Sequence, residues 1–183
     1  MSDPAAVKKS LSAQFSVDVP PPLEHTDPET LAALLQANTT TDASPVIVID
    51  VRLAEEFSKG HVSGAWNYPH SDVNIEELVD RVEAAAAKQQ QSALNVVFAS
   101  LQSPDLDEAV AQDFIEVWDA RQKKKKKAAD ATAATIDANR FVSLLLGGIF
   151  YWLRLYHGQA ALTSEYDAAM WDDVLTKYNQ ESS

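Results

Sequence analysis

Residues 95–106 read Asn-Val-Val-Phe-Ala-Ser-Leu-Gln-Ser-Pro-Asp-Leu, an apolar strand that runs through Ser100 into a tight loop and a helix start. A strand–loop–helix junction of this kind aims backbone N–H groups and a helix N-terminus at one point, which suits an anion. Thiol chemistry on that anion would need a thiolate at the strand end and a guanidinium closing the loop. Ser100 and Leu106 stand there instead, and the chain contains no cysteine. A serine hydroxyl is a poor nucleophile without a base, and no His or Lys follows it within the loop. Pro104 has no N–H to offer, and Asp105 sets a carboxylate beside the place meant for the anion. The same residues predict a helix cap, with Ser103 at the N-cap, Pro104 first in the helix, and Asp105, Asp107 and Glu108 as first-turn acids. The chain fills its own anion site with its own charge.

Other chemistry is sparse. Without cysteine there are no disulfides, thiolate metal ligands or redox thiols. His25, His61, His70 and His157 lie far apart without paired ligand spacing, so neither a metal nor a cofactor is expected. Asp50 closes an apolar strand and can accept hydrogen bonds from the backbone or from Arg52. Gly60 and Gly64 permit positive backbone angles around His61, which reads as a buried hydrogen-bonding residue rather than a general base. His70, after Pro69, is the histidine to test for proximity to Ser100.

The elements that must hold these residues follow from apolar patterning. Val46–Asp50 and Val96–Phe98 are continuous apolar runs, as strands of a parallel sheet buried on both faces require. Asp27 can cap and Pro28 can begin a helix carrying Leu31, Leu34 and Leu35. A short helix is predicted over Leu53–Ser58, a small strand at Gly64–Asn67, and a helix over Asn74–Lys88 with Ile75, Leu78, Val79 and Val82 inward. Helical spacing of Val110, Phe114, Val117 and Trp118 carries the next helix to about Arg121. Phe141–Leu145 is a last strand, Gly147-Gly148 a turn, and Ile149–Tyr156 a helix with Trp152 facing in. This alternation predicts an α/β fold, a mostly parallel central sheet flanked by helices on both faces. Three units result: an N-terminal extension over 1–25, a single domain over 26–158 with a polar lysine-containing insertion over 122–139, and a C-terminal extension over 159–183. The last is read as an amphipathic helix in which Tyr166, Met170, Val174 and Tyr178 recur every four residues and Trp171 and Leu175 widen the stripe; part of it is expected to pack on the domain, the alternative being a hydrophobic handle for a partner.

Charge narrows the partners. The 183 residues carry a net charge of −12, which repels phosphates and argues against nucleic acid. Lys123–Lys127 run against that trend as five consecutive lysines. They read either as a solvated, self-repelling loop or as a docking patch for an acidic partner or membrane surface. The apolar run Leu144–Trp152 is too short to cross a membrane. Few basic residues open the chain, so a secretory signal is not expected and a cytoplasmic or mitochondrial location is.

Three stretches resemble the rhodanese domain, and within it the branch of Cdc25-type phosphatases and small eukaryotic arsenate reductases. Val48-Ile-Asp50-Val51-Arg52-Leu-Ala-Glu-Glu56-Phe57-Ser-Lys-Gly60-His61-Val62-Ser-Gly64-Ala65-Trp-Asn67-Tyr-Pro69 is similar to the family's strand-Asp-Val-Arg…Glu-Phe…Gly-His-Ile-x-Gly-Ala…Asn-x-Pro pattern. Val97-Phe98-Ala99-Ser100-Leu-Gln-Ser103 resembles the phosphatase-like Val-Phe-His-Cys-x-x-Ser, and Leu146-Gly147-Gly148-Ile149-Phe-Tyr-Trp152 resembles the closing Gly-Gly-x-x-x-Trp element. The resemblance implies that Ser100 holds the position of the catalytic cysteine, Ala99 that of the preceding histidine and Leu106 that of the loop-closing arginine. The loop Ser100, Ser103, Pro104, Asp105, Leu106 is then vestigial, and Asp50, Arg52 and His61 are structural. The expected function is a non-catalytic rhodanese-like domain, a pseudoenzyme serving as an interaction or structural subunit of a larger assembly. Its partners would dock through the C-terminal helix (Tyr166, Met170, Trp171, Val174, Tyr178), the N-terminal arm or Lys123–Lys127. The alternatives are a weak phosphatase, arsenate reductase or sulfurtransferase using a non-cysteine site, and an anion-sensing domain.

Overall fold

A computed structural model describes residues 22–37, 46–88, 94–128 and 138–181. The first 21 residues, the linker 38–45, the glutamine run 89–91 and the Ala/Thr/Asp segment 129–137 fall outside the described residues, and with them most of the expected N-terminal extension. The sheet contains β1 (Glu24–Thr26), β2 (Val46–Asp50), β4 (Trp66–Asn67), β5 (Asn95–Ala99) and β6 (Val142–Leu145) in the order β1-β6-β5-β2-β4. Every pairing in it is parallel. A separate antiparallel pair joins β3 (His61–Val62) to β7 (Thr163–Ser164).

The alternation of side chains along a strand divides the apolar residues between two cores. Ile47, Ile49, Val96, Phe98, Val142 and Leu144 face one side, where α3 (Ile75–Lys88) and α4 (Leu106–Ala128) pack through Leu78, Val79, Val82, Val110, Phe114 and Trp118. Val48, Val97, Ala99 and Leu145 face the other, against α1 (Pro28–Ala37) and α5 (Gly148–Tyr156) through Leu31, Ile149, Trp152 and Leu153. This is why the strands read as unbroken apolar runs: both faces are covered. A short helix, α2 (Ala54–Phe57), follows β2. Asp27 caps α1, its carboxylate accepting from the backbone N–H and the hydroxyl of Thr30 at 2.8 and 2.7 Å.

The ends of the domain lie differently from the sequence expectation. Strand β1 pairs with β6, so residues 24 and 25 belong to the sheet rather than to an extension. Three residues at an edge carry too little periodicity to announce a strand. Helix α4 runs unbroken to Ala128, so the helix does continue through the lysine run, as the helix-favouring alanines allow. Arg121 anchors that extension by forking onto Glu76 and Asp80 of α3, and Lys125 reaches Glu83 at 2.8 Å.

The C-terminal helix, α6 (Ala168–Glu181), packs on the domain through part of its stripe, as expected. Trp171 and Leu175 are buried in the second core, and the Trp171 indole N–H donates to the Lys59 carbonyl at 2.8 Å. Trp171 is therefore an internal anchor, not a handle for a partner. Tyr166 precedes the helix and donates its hydroxyl to Asp172 at 2.7 Å, and burial raises its pKa. Asp167 caps the helix through the N–H groups of Ala169 and Met170 and pairs with Lys59 at 3.0 Å. The Lys59 ammonium holds the Asp167 carboxyl below its ordinary value, so this tie is present above that ordinary value and is released as pH falls through the lowered one. Met170 and Val174 stay exposed, while Tyr178 leans on Phe150 and Arg154.

Trp171→Ala is expected to lower the urea unfolding free energy by about 3 kcal/mol or more. Met170→Ala and Val174→Ala on the exposed flank of the helix are each expected to change it by less than about 0.5 kcal/mol.

Candidate functional site

Strand β2 connects onward to β4 on one side of itself, and the chain returns to β5 on the other. The crevice between β2 and β5 at their carboxyl ends is therefore the switch point where open parallel sheets take ligands. Val51 and Arg52 leave β2 there, and Ser100 and Leu101 leave β5. Together with Glu56, His70, Asp105 and Leu106 they line a cavity of about 190 Å³.

Arg52 lines it and is held from behind by Asp50 as a buried pair. The Arg52 guanidinium meets both Asp50 oxygens, at 2.9 Å through Nε and 2.6 Å through a terminal nitrogen, and its backbone N–H adds a third bond to Asp50 at 3.0 Å. The remaining guanidinium N–H groups go to the carbonyls of Gly60 at 2.8 Å and Glu56 at 3.4 Å. This fork fixes the turn after β2 and the exit of α2, and it leaves Arg52 matched in charge with four of its five guanidinium N–H groups bonded. His61 lies outside the cavity lining. It stacks on Phe57 with ring centroids 3.7 Å apart, and its Nδ1 donates to the Phe57 carbonyl at 2.9 Å.

The loop after β5 keeps its own groups occupied. Ser100 is buried, and its hydroxyl donates to the Gln102 carbonyl at 3.0 Å. The carbonyls of Ser100 and Leu101 accept from the N–H groups of Ile149 and Phe150 at 2.9 and 3.0 Å, so the open end of α5 is capped by this loop. Gly148 makes that approach feasible: its φ is +63°, and a Cβ there would fall 2.7 Å from both carbonyl oxygens.

The start of α4 corrects the sequence reading. Ser103 is not the N-cap and Pro104 is not the first helical residue, because the helix begins at Leu106. Asp107 takes the capping role from inside, one carboxylate oxygen accepting from the N–H groups of Asp105 at 2.8 Å and Glu108 at 3.1 Å. An ionised carboxylate is a stronger acceptor than a serine hydroxyl, and Ser103 Oγ is left buried without a partner. Asp107, fully buried, is the acid that occupies the helix terminus, while Asp105 lines the cavity.

Of the residues singled out from sequence, the cavity gathers Arg52, Ser100, Asp105 and Leu106, with His70, and leaves Asp50, His61, Ser103 and Pro104 behind its wall. His70 lines the same cavity as Ser100 but bonds elsewhere: its backbone N–H and its Nδ1 both reach the Val51 carbonyl, at 2.9 and 3.1 Å. Among the described residues no His or Lys bonds Ser100 Oγ. Glu56 and Leu101 were not singled out as lining residues. The helical start just after Arg52, which folds α2 back over the crevice, is the signal that could have found Glu56. Among the described residues no cluster of three or more His, Asp or Glu is arranged to hold a metal, and no helix is long and apolar enough to cross a membrane.

A family model of the rhodanese-like domain matches residues 27–155. The chain belongs to the rhodanese family. The rhodanese-like fold extends to solved structures. Saccharomyces cerevisiae Ygr203w, described as a homolog of single-domain rhodanese and the Cdc25 phosphatase catalytic domain, is 24% identical with a TM-score of 0.64, over 81% of this chain and 91% of its own. A second structure of Ygr203w, described as a yeast protein tyrosine phosphatase of the rhodanese family, gives 24% identity and a TM-score of 0.65 over 81% and 96%. An As-Sb reductase from Leishmania major is 19% identical, TM-score 0.50, over 75% and 81%. At these identities the likeness is one of fold. Among curated proteins, none matches this chain in sequence.

Two substitutions test how the site is held. Gly148→Ala is expected to cost about 3 kcal/mol in chemical denaturation, since the methyl group meets two carbonyl oxygens at a positive φ. Gly64→Ala, at φ +77° with open space around it, isolates the backbone term at about 1 kcal/mol.

Proposed function

We propose that this rhodanese-like domain is non-catalytic and serves as a protein-interaction or structural subunit of a larger assembly. The observation that carries the reading is the state of Ser100. Its hydroxyl is buried and donated to the Gln102 carbonyl, with no base bonded to it among the described residues. The position that the family resemblance gives to the loop-closing arginine holds Leu106, and the one guanidinium at the cavity, Arg52, is occupied by Asp50. A reaction here would lack both the attacking group and the clamp on the oxyanion, each of which supplies a large part of such catalysis.

Surface chemistry supports the interaction role. Met170, Val174 and Tyr178 form an apolar stripe on α6, each more than two-fifths exposed. Lys123, Lys124, Lys126 and Lys127 are exposed at the end of α4, where a cationic group also complements the helix dipole. These are two separate surfaces, one apolar and one cationic, on a domain that otherwise has net negative charge.

The reading is tested by turnover of thiosulfate, arsenate and aryl phosphates by the full chain beside Ser100→Ala. Equal, background rates are expected, and wild-type turnover abolished by Ser100→Ala overturns the reading. A Ser100→Cys, Leu106→Arg pair in the same assays serves as the control that returns the thiol and guanidinium. For the interaction role, Val174→Glu is expected to leave the circular dichroism and unfolding midpoint unchanged while releasing the tagged chain from its native assembly on a sizing column. An assembly of unchanged size removes the α6 stripe from the account.

A further inference from the structure

We infer that the cavity between β2 and β5 has reversed its charge preference and takes a cationic side chain, the lysine or arginine of a partner protein flanked by apolar residues. This rests on the non-catalytic reading above and names the chemistry of the partner that would use the vacated cleft.

Charge is the first observation. The cavity's one permanent cation, Arg52, is matched in charge by Asp50, and two further donors end on the carbonyls of Gly60 and Glu56. Glu56 and Asp105 also line the cavity, and among the described residues neither forms an ion pair. The cleft is thus left with two unmatched carboxylates.

Shape is the second. About 190 Å³ accommodates on the order of six waters at ~30 Å³ each, room for the end of one long side chain. The rim is apolar. Leu101 and Leu106 line the cavity and remain 40% and 41% exposed, and Leu53, next to Arg52, is 45% exposed. Leu146, four residues before the Phe150 N–H that donates to the Leu101 carbonyl, is 47% exposed. Large exposed leucines around an acidic hollow match a side chain with an aliphatic stem and a charged tip, which buries its methylenes along the wall while the tip meets carboxylate. An inorganic oxyanion gains nothing from that collar and is repelled by Glu56 and Asp105. A small metal ion would leave the leucines uncovered.

The probe is the peptide acetyl-Leu-Arg-Leu-amide, titrated into the full-length ¹⁵N-labelled protein at low salt. Peptides carrying Gln or Glu in place of Arg are run in parallel, as is sodium sulfate. Saturable shifts are expected at the amides of Leu101, Asp105 and Leu106 with the Arg peptide, weakening as salt is raised. The joint substitution Glu56→Gln and Asp105→Asn is expected to weaken binding about tenfold. Glutamine can keep the bond that Glu56 accepts from the Leu53 N–H, and the amide spectrum of the variant reports its fold directly. The inference is overturned by an absence of saturable shifts, by equal shifts from the Gln peptide, by binding that ignores salt, or by sulfate binding at the same amides. These results leave the non-catalytic reading standing, whereas turnover dependent on Ser100 removes that reading whether or not the peptide binds.

Discussion

The contact on which the rest depends is between the first turn of α5 and the loop after β5. The N–H groups of Ile149 and Phe150 are open helix-end donors, and the carbonyls of Ser100 and Leu101 close them. The chain comes close enough because Gly148 carries no side chain. This contact joins the helix on one face of the sheet to the loop at the carboxyl end of its central strand, so the loop keeps its shape without a bound ligand.

Around that contact, several local choices point the same way. Ser100 uses its hydroxyl within the loop, Asp107 satisfies two of the N–H groups at the start of α4, and Arg52 is held by Asp50. Each is a stabilising arrangement of a group that in a catalyst must be free to meet substrate. The buried Arg52–Asp50 pair stabilises mainly by avoiding an unmatched charge, since losing one partner of such a pair costs several kcal/mol. The cleft is thus organised as structure, and its two unmatched carboxylates set its remaining electrostatic character.

Much of this was legible in the residues. The apolar runs Val46–Asp50 and Asn95–Ala99 needed a two-faced parallel sheet, and the helical spacing of Val110, Phe114 and Trp118 put α4 on it. Missing cysteine and the Leu106 substitution could be read without coordinates. What could not be read were features set by contacts distant along the chain. Strands β1, β3 and β7 are two or three residues long and form only because their partners lie more than 100 residues away. Trp171 looked like part of an amphipathic stripe, and its burial depends on the Lys59 carbonyl. At the start of α4 the preferences of Ser103 and Pro104 pointed to one boundary, and the carboxylate of Asp107 imposed another. Local propensity lost there to a stronger acceptor.

The central claim is that no group in this cleft attacks an oxyanion, and intact-mass spectrometry of the full chain under prolonged incubation with an aryl phosphate, arsenate or thiosulfate tests it most directly. The account predicts a protein of unchanged mass under all three. A phosphoryl, arsenyl or sulfur adduct that maps to Ser100, and is missing from Ser100→Ala, contradicts it.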